Sequence, residues 1–147
     1  MSQGQEQRAI SLEEAIAQLS LLENQLKQLQ ELVAELSARI TRLSTVEEAL
    51  MSLEKGSDDS FIPLDATGTV FVKGLIKPIE RVLLHAGLDV FIELDRGKAL
   101  EVIREEKSAT SKLLDNYNRD LAQLTQYYVA LRSAVEQALQ QAQQRRQ

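Results

Sequence analysis

The side chains able to do chemistry in this chain are few, and their spacing builds no reaction centre. His85 is the only histidine, and there is no cysteine. A general base or nucleophile needs a neighbour that orients or activates it. His85 lies among apolar residues in VLLHAG with no Ser or Asp partner evident, and reads as a packed or edge residue. Asp58-Asp59 follows Gly56-Ser57 in what reads as a loop. The stretch lacks the ligand count of a calcium loop. Gly68, Gly74 and Gly87 form no phosphate-binding pattern. Gly74, alone inside a strand-like run, marks a bulge or a close approach instead. Without cysteine there is no disulfide framework, no thiol nucleophile and no Cys-based metal site. The expectation is a protein with no catalytic residue, no metal and no cofactor.

Composition points the same way. The 147 residues fit one domain; 44% are hydrophobic, but only 4% are aromatic and none is Trp. Aromatic side chains dominate cores and ligand pockets, so their scarcity argues against a compact enzyme with a deep cleft. The net charge is -5. Residues 1–55 hold 5 basic and 9 acidic side chains, residues 56–97 hold 4 and 7, and residues 98–147 hold 8 and 6. No basic patch of the kind that binds nucleic acid stands out, and the mildly opposite flanks suit pairing with each other. The opening MSQGQEQRAI has no apolar segment and does not read as a secretory signal. No run approaches the ~18 apolar residues of a membrane span. We expect a soluble, cytoplasmic chain that binds neither nucleic acid nor membrane.

The elements that frame this sequence are two long helices. From Leu12 the apolar residues step by three and four through Leu12, Ala15, Leu19, Leu22, Leu26, Leu29, Val33, Leu36, Ile40, Leu43, Glu47 and Leu50. This heptad pattern predicts a coiled-coil helix over residues 8–55. Ser11 with Glu14 reads as a capping box. A second seam runs Leu100, Ile103, Lys107, Thr110, Leu114, Tyr117, Leu121, Leu124, Tyr128, Leu131, Val135, Ala138 and Ala142, and predicts a helix over residues 98–143. Helices of this length need a partner for their stripe. Folded back antiparallel, each serves the other, with Leu12 facing Ala138, Leu19 facing Leu131 and Leu50 facing Leu100. In that register the two charged seam residues, Glu47 and Lys107, fall about one layer apart and should approach each other. The competing reading has both reach to water along their stems. Heptads alone describe a generic spacer, so function has to come from what they carry.

Between the helices, residues 60–95 switch to strand sequence. Four strands are expected: Phe61–Leu64, Thr69–Ile76, Arg81–Ala86 and Leu88–Leu94, with turns at Asp65-Ala66-Thr67-Gly68, at Lys77-Pro78-Ile79-Glu80 and at Gly87. They make two hairpins, and Asp95-Arg96-Gly97 leads into the second helix. The strands are apolar on both faces: Val70, Val72 and Ile76 oppose Phe71 and Leu75, Val82 and Leu84 oppose Leu83, and Val90 and Ile92 oppose Phe91. A hairpin is marginal alone, and so small a unit cannot cover both of its own faces. Large exposed apolar patches mark protein interfaces, and free strand edges invite pairing. We read these eleven residues as a subunit interface. The alternative is a hairpin packed on the base of its own coiled coil.

Helix, two hairpins and helix, with the strands at the centre of the chain, resembles the alpha class of prefoldin subunits. FIPL at Phe61–Leu64, VFVKGLI at Val70–Ile76, VLLHAG at Val82–Gly87 and DVFIEL at Asp89–Leu94 follow that family's hairpin pattern. Its usual sequences there are a V-P-[IL] stretch, a [SY]-F-[IV]-K-G-like strand and a V-G-[AT]-G-Y-x-V-E-like strand. The likeness covers residues 10–142, and beta-class subunits carry one hairpin rather than two. Here His85-Ala86-Gly87-Leu88-Asp89 replaces the usual G-x-G, a change that bears on hairpin geometry.

The resemblance implies an α+β fold: a long antiparallel two-helix coiled coil whose two central β-hairpins form an intersubunit β-barrel. It implies one prefoldin-like domain over residues 1–147, within a heterohexamer of beta-class subunits and a second alpha-class subunit. It further implies ATP-independent capture of unfolded client proteins and their transfer to a group II chaperonin. In this chain the coiled-coil tips are the two termini. The candidate client contacts are Ile10, Leu12, Ile16 and Leu19 with Leu131, Val135 and Leu139. For Leu12, Leu19, Leu131 and Val135 the competing role is seam packing; Ile10, Ile16 and Leu139 lie off the strict seam. A structural coiled-coil adaptor and a homo-oligomeric scaffold remain the alternative functions.

Overall fold

A computed structural model describes residues 11–146. In chain order the elements are α1 (Leu12–Ser52), β1 (Ser57–Pro63), β2 (Phe71–Ile76), β3 (Arg81–Gly87), β4 (Val90–Asp95) and α2 (Arg96–Gln144). Each hairpin is its own antiparallel sheet, β1 with β2 and β3 with β4. The chain divides into two compact units, one of Leu36–Leu113 and the other of Met1–Glu35 with Leu114–Gln147.

α1 starts where the sequence places a cap. The Glu14 N–H donates to Ser11 Oγ at 3.2 Å, and the Ser11 N–H donates to the Glu14 carboxylate at 3.3 Å. This reciprocal box satisfies donors that a helix start leaves free. In the unit of both chain ends, Ala15, Leu22 and Val135 are buried, and the other seam residues from Leu12 to Val33 and from Leu114 to Leu131 are half-buried. Val135 is the last buried residue of the α2 seam, and Ala138 and Ala142 are exposed.

The unit of residues 36–113, which holds both hairpins and the helix segments at their base and is termed the hub, contains a hydrophobic core cluster. Leu43 and Leu50 of α1 meet Ala99 and Ile103 of α2, and Val82, Leu84, Leu94 and Leu100 pack on this cluster. Ala99 is fully covered. α2 begins at Arg96, so Asp95-Arg96-Gly97 is no linker: Asp95 closes β4 and Arg96 opens the helix. The cause is a set of ties on Arg96. Its N–H donates to the Glu80 carbonyl at 2.7 Å, and its guanidinium reaches the Leu50 carbonyl at 3.2 Å. That bond satisfies one of the acceptors left free where α1 ends.

The strands differ from the sequence reading at their ends. β1 starts at Ser57 and takes in Asp58-Asp59, because a bulge between Ser57 and Ser60 accommodates the extra residue opposite Ile76–Gly74. Gly74 is a close approach, since a Cβ there would stand 3.0 Å from Ile62 Cδ1. Thr69 and Val70 leave β2 because the Asp65 side chain claims them. Its carboxylate accepts from the N–H groups of Thr69 at 2.8 Å, Val70 at 3.2 Å and Thr67 at 3.2 Å, and from the Thr67 hydroxyl. These bonds hold the Asp65 carboxyl well below the usual carboxylate range, the Thr67 side chain contributing most. Leu88 is in no strand. Leu88 and Asp89 have φ of 47° and 60°, so they form a two-residue turn between the paired Gly87 and Val90. Positive φ at both central residues is the type I′ geometry, which favours Asn and Gly.

Gly56 joins α1 to the first hairpin at φ of 68°. A Cβ there would overlap the Ile76 carbonyl oxygen and stand 2.9 Å from Pro78 N. Gly56→Ala therefore adds a left-handed backbone strain to a backbone clash. We expect a loss of stability on the order of 2 kcal/mol or more, read as a lower thermal midpoint by circular dichroism. An unchanged midpoint would show that the junction relaxes freely.

Candidate functional site

Each unit carries exposed apolar surface, and each is built differently. In the hub, strand pairing sorts the side chains into faces. On β3–β4, Val82 pairs with Leu94 and Leu84 with Ile92, while Leu83 pairs with Glu93 and His85 with Phe91. The Val82, Leu84 and Leu94 face lies on the coiled-coil base, where these three are half-buried. The Leu83 and Phe91 face is open, at 68% and 59% exposure. One face of β3–β4 thus packs on the base of its own coiled coil, and the other is left uncovered.

Polar ties hold the open face in shape. The Arg81 guanidinium donates to Glu93 at 3.0 Å and to Asp95 at 3.0 Å across the pair of strands. The His85 ring lies against the Phe91 ring, with centroids 4.9 Å apart. His85 therefore has an aromatic cross-strand neighbour. Among the described residues, no group of three or more His, Cys, Asp or Glu is placed to hold a metal ion.

Hairpin β1–β2 is open on both faces. Ile62 pairs with Val72, and Phe61 pairs with Lys73. Val70, Phe71, Val72 and Leu75 are exposed, and Ile76 is half-buried. On the second hairpin Val90 and Ile92 are also exposed. Lys73 Nζ stands 5.6 Å above the Phe61 ring centroid and 3.6 Å from Asp59. The sequence reading missed Phe61, Ile62, Leu64 and Leu88 as surface residues, all of them exposed. The alternation of FIPL against VFVKGLI carried the signal for the first three.

In the unit of both chain ends, the seven tip candidates separate. Leu12, Leu19 and Leu131 are half-buried in the seam and Val135 is buried. Ile16 and Leu139 point out, at 47% and 42% exposure, and Ile10 lies outside the described residues. Leu21, Tyr127 and Val129 are further exposed side chains here. Tyr128 is half-buried and donates its hydroxyl to Glu23 at 2.5 Å across the helix pair, which raises its phenol pKa.

The two charged seam residues do meet. The Glu47 carboxylate accepts from Arg104 Nε at 3.0 Å and from Lys107 Nζ at 3.1 Å. One turn along α2, Thr110 is buried and donates to the Glu106 carbonyl at 2.8 Å, while Glu106 itself pairs with Arg39. The hydrogen bonds from Arg104 first, then Lys107, pull the Glu47 carboxyl below its ordinary value of 4.5.

Comparison with known proteins follows the same outline. A family model described as Prefoldin subunit matches residues 22–144. A prefoldin subunit alpha of Hyperthermus butylicus is 60% identical over 97% of this chain and 93% of its own. A second, from Sulfurisphaera tokodaii, is 32% identical over 96% and 93%. The fold is similar to that of a filamentous PFD from Methanocaldococcus jannaschii, at a TM-score of 0.61 and 18% identity, covering 83% of this chain and 98% of that one.

A carboxyl whose pKa falls on folding stabilises the fold above its unfolded value, and loses that contribution as pH drops through the folded value. Glu47→Gln should therefore lower the thermal midpoint at neutral pH. The gap from wild type should close as the pH falls below 4.5. A gap that stays constant into acid would mean that the Glu47 charge does not support the seam.

Proposed function

This chain belongs to the prefoldin family of chaperone subunits, and on that premise we propose that it captures non-native proteins without ATP and passes them to a group II chaperonin. It acts as the alpha-class member of a cytoplasmic heterohexamer, beside beta-class subunits and a second alpha-class subunit. Residues 1–147 work as one prefoldin-like domain. The hairpins supply the assembly surface and close with neighbouring hairpins into a β-barrel. The helix ends supply the client contacts.

The observation that carries this reading is apolar surface left open in both units by side chains that their own unit has no means to cover. In the hub, Leu83 and Phe91 are turned away from the only face that the coiled coil covers. Toward the helix ends Ile16 and Leu139 are exposed. Weak apolar contacts of this kind, repeated over several arms, add by avidity and impose no fixed client shape. Leu12, Leu19, Leu131 and Val135 act first in the seam, and contribute to clients where the helix ends fray.

The test is suppression of aggregation of a chemically denatured protein by the chain reconstituted with a beta-class subunit. We expect suppression without nucleotide. Removing residues 1–16 and 132–147 should leave the assembly intact by light scattering and reduce suppression. If the reconstituted complex leaves aggregation unchanged, the chain is an adaptor rather than a chaperone. If the trimmed chain no longer assembles, the interface lies in the helices and not in the hairpins.

A further inference from the structure

Met51 is one of two methionines in the chain, and it lies in the last turn of α1. It is 51% exposed, so it fills no core position. Its sulfur nonetheless has a partner. Arg104 of α2 donates from Nη2 to Met51 Sδ at 3.7 Å, and from Nε to the Glu47 carboxylate at 3.0 Å. Glu47 and Met51 are four residues apart on α1 and so share a face. One guanidinium from the other helix spans both. A thioether is a weak acceptor, so the bond to sulfur holds little. The bond to Glu47 is an ion pair, which Lys107 shares at 3.1 Å.

One added oxygen reverses that balance. Oxidation turns the apolar thioether into a polar sulfoxide, whose oxygen is a far better acceptor than the sulfur. In a packed core this change disrupts contacts. At Met51 half of the residue already faces solvent, and the oxygen would form beside a guanidinium that already donates to the sulfur. Hydrogen bonds from a charged donor are roughly twice as strong as neutral ones. The planar fork of arginine presents several donors at fixed angles, so Arg104 can keep Glu47 and hold the sulfoxide at the same time.

We propose that Met51 is a site of reversible oxidation by hydroperoxides, and that Arg104 holds the sulfoxide and so latches α1 to α2 beside the Glu47 ion pair. The Met51 sulfur attacks the terminal oxygen of the hydroperoxide. The S–O bond forms as the O–O bond breaks, and the proton of the attacked oxygen passes to the departing one, which leaves as an alcohol, or as water from hydrogen peroxide. The sulfur gives up two electrons and the peroxide takes them. A dithiol returns the electrons: the oxygen leaves as water, the thioether is restored and a disulfide remains. Glu47, Met51 and Arg104 all lie within the hub, so the latch acts on the base of the helix pair. It does not depend on the chaperone reading.

The full chain is treated with hydrogen peroxide, and the fragment carrying Met51 is measured by mass spectrometry for a gain of one oxygen. The thermal midpoint is read by circular dichroism before and after. Met51→Leu, which nearly keeps the side-chain volume, gives the shift due to every other oxidised group, Met1 included. With that shift subtracted, oxidation should change the midpoint at least about 2 °C more favourably in wild type than in Arg104→Gln. In R104Q the sulfoxide has lost its charged donor, while Glu47 keeps Lys107. Should R104Q not fold, R104K takes its place with the same expectation, because a compact ammonium lacks the planar fork. Equal shifts in wild type and variant overturn the latch. Treatment with methionine sulfoxide reductase and a dithiol should restore the starting midpoint; a midpoint still shifted once the oxygen is gone also overturns it. A Met51 that resists peroxide in the folded chain, yet takes up oxygen in urea, overturns the site itself.

Discussion

The packing of Val82, Leu84 and Leu94 onto Leu43, Leu50, Ala99 and Ile103 fixes one face of hairpin β3–β4 and, by the alternation of a strand, frees the other. No rearrangement of the same hairpin could hide both, because successive side chains point to opposite sides. The coiled coil that supplies the cluster cannot help further. Each helix hides one stripe, and that stripe is already used by its partner helix. What remains open, above all Leu83 and Phe91, is the direct remainder of that geometry. Hairpin β1–β2 has less still: tied to α1 by the Leu53 carbonyl, which accepts from the Ile79 N–H at 3.0 Å, it leaves apolar side chains exposed on both faces.

Polar groups in this chain set shape where apolar ones set adhesion. The Asp65 carboxylate gathers the N–H groups of the first turn, the Arg81 guanidinium spans β3 and β4, and Arg96 joins the last turn of α1 to the first of α2. Asp65 and Arg96 lie at junctions where the backbone changes direction and its hydrogen bonds would otherwise lack partners. Arg81, and Glu47 with Arg104 and Lys107 in the seam, tie side chain to side chain between neighbouring elements. An ion pair there adds little by itself, but it matches a charge on one helix with charges on the other and so favours this pairing over that of two like helices.

The seam was legible residue by residue, since a 3.5-residue period over many turns admits one solution; each position from Leu12 to Leu50 is buried or half-buried. The meeting of Glu47 and Lys107 followed from the same register. The two hairpins were legible in kind, because Asp-Ala-Thr-Gly and the break at Gly87 mark turns. Their ends were not. Where β1 begins depends on a bulge, where β2 begins depends on one carboxylate, and where α2 begins depends on Arg96; all three are decided by contacts distant in sequence or by side-chain geometry. Leu88 shows the limit most clearly. Its apolar character and its spacing from Val90 and Ile92 predict a strand, and the backbone places it in a turn, because strand patterning says nothing about the sign of φ. Among the tip candidates, heptad position separated Ile16 and Leu139 from the seam in advance. The exposure of Leu21, Tyr127 and Val129 was equally readable from their off-seam places.

The two hairpins also differ in where their support lies. In β1–β2 the stabilising contacts are gathered at the loop, where Asp65 binds Thr67, Thr69 and Val70 within five residues of itself. Closing so short a loop is fast and independent of the rest of the chain. In β3–β4 the loop is the weak point, and the stabilising contacts lie at the other end: Arg81 with Asp95, Val82 with Leu94 on the helix cluster, and Arg96 on the Glu80 carbonyl. The contacts that favour the first hairpin are thus local to its turn, whereas those of the second lie at its open end, where Val82 and Leu94 depend on both helices being in place.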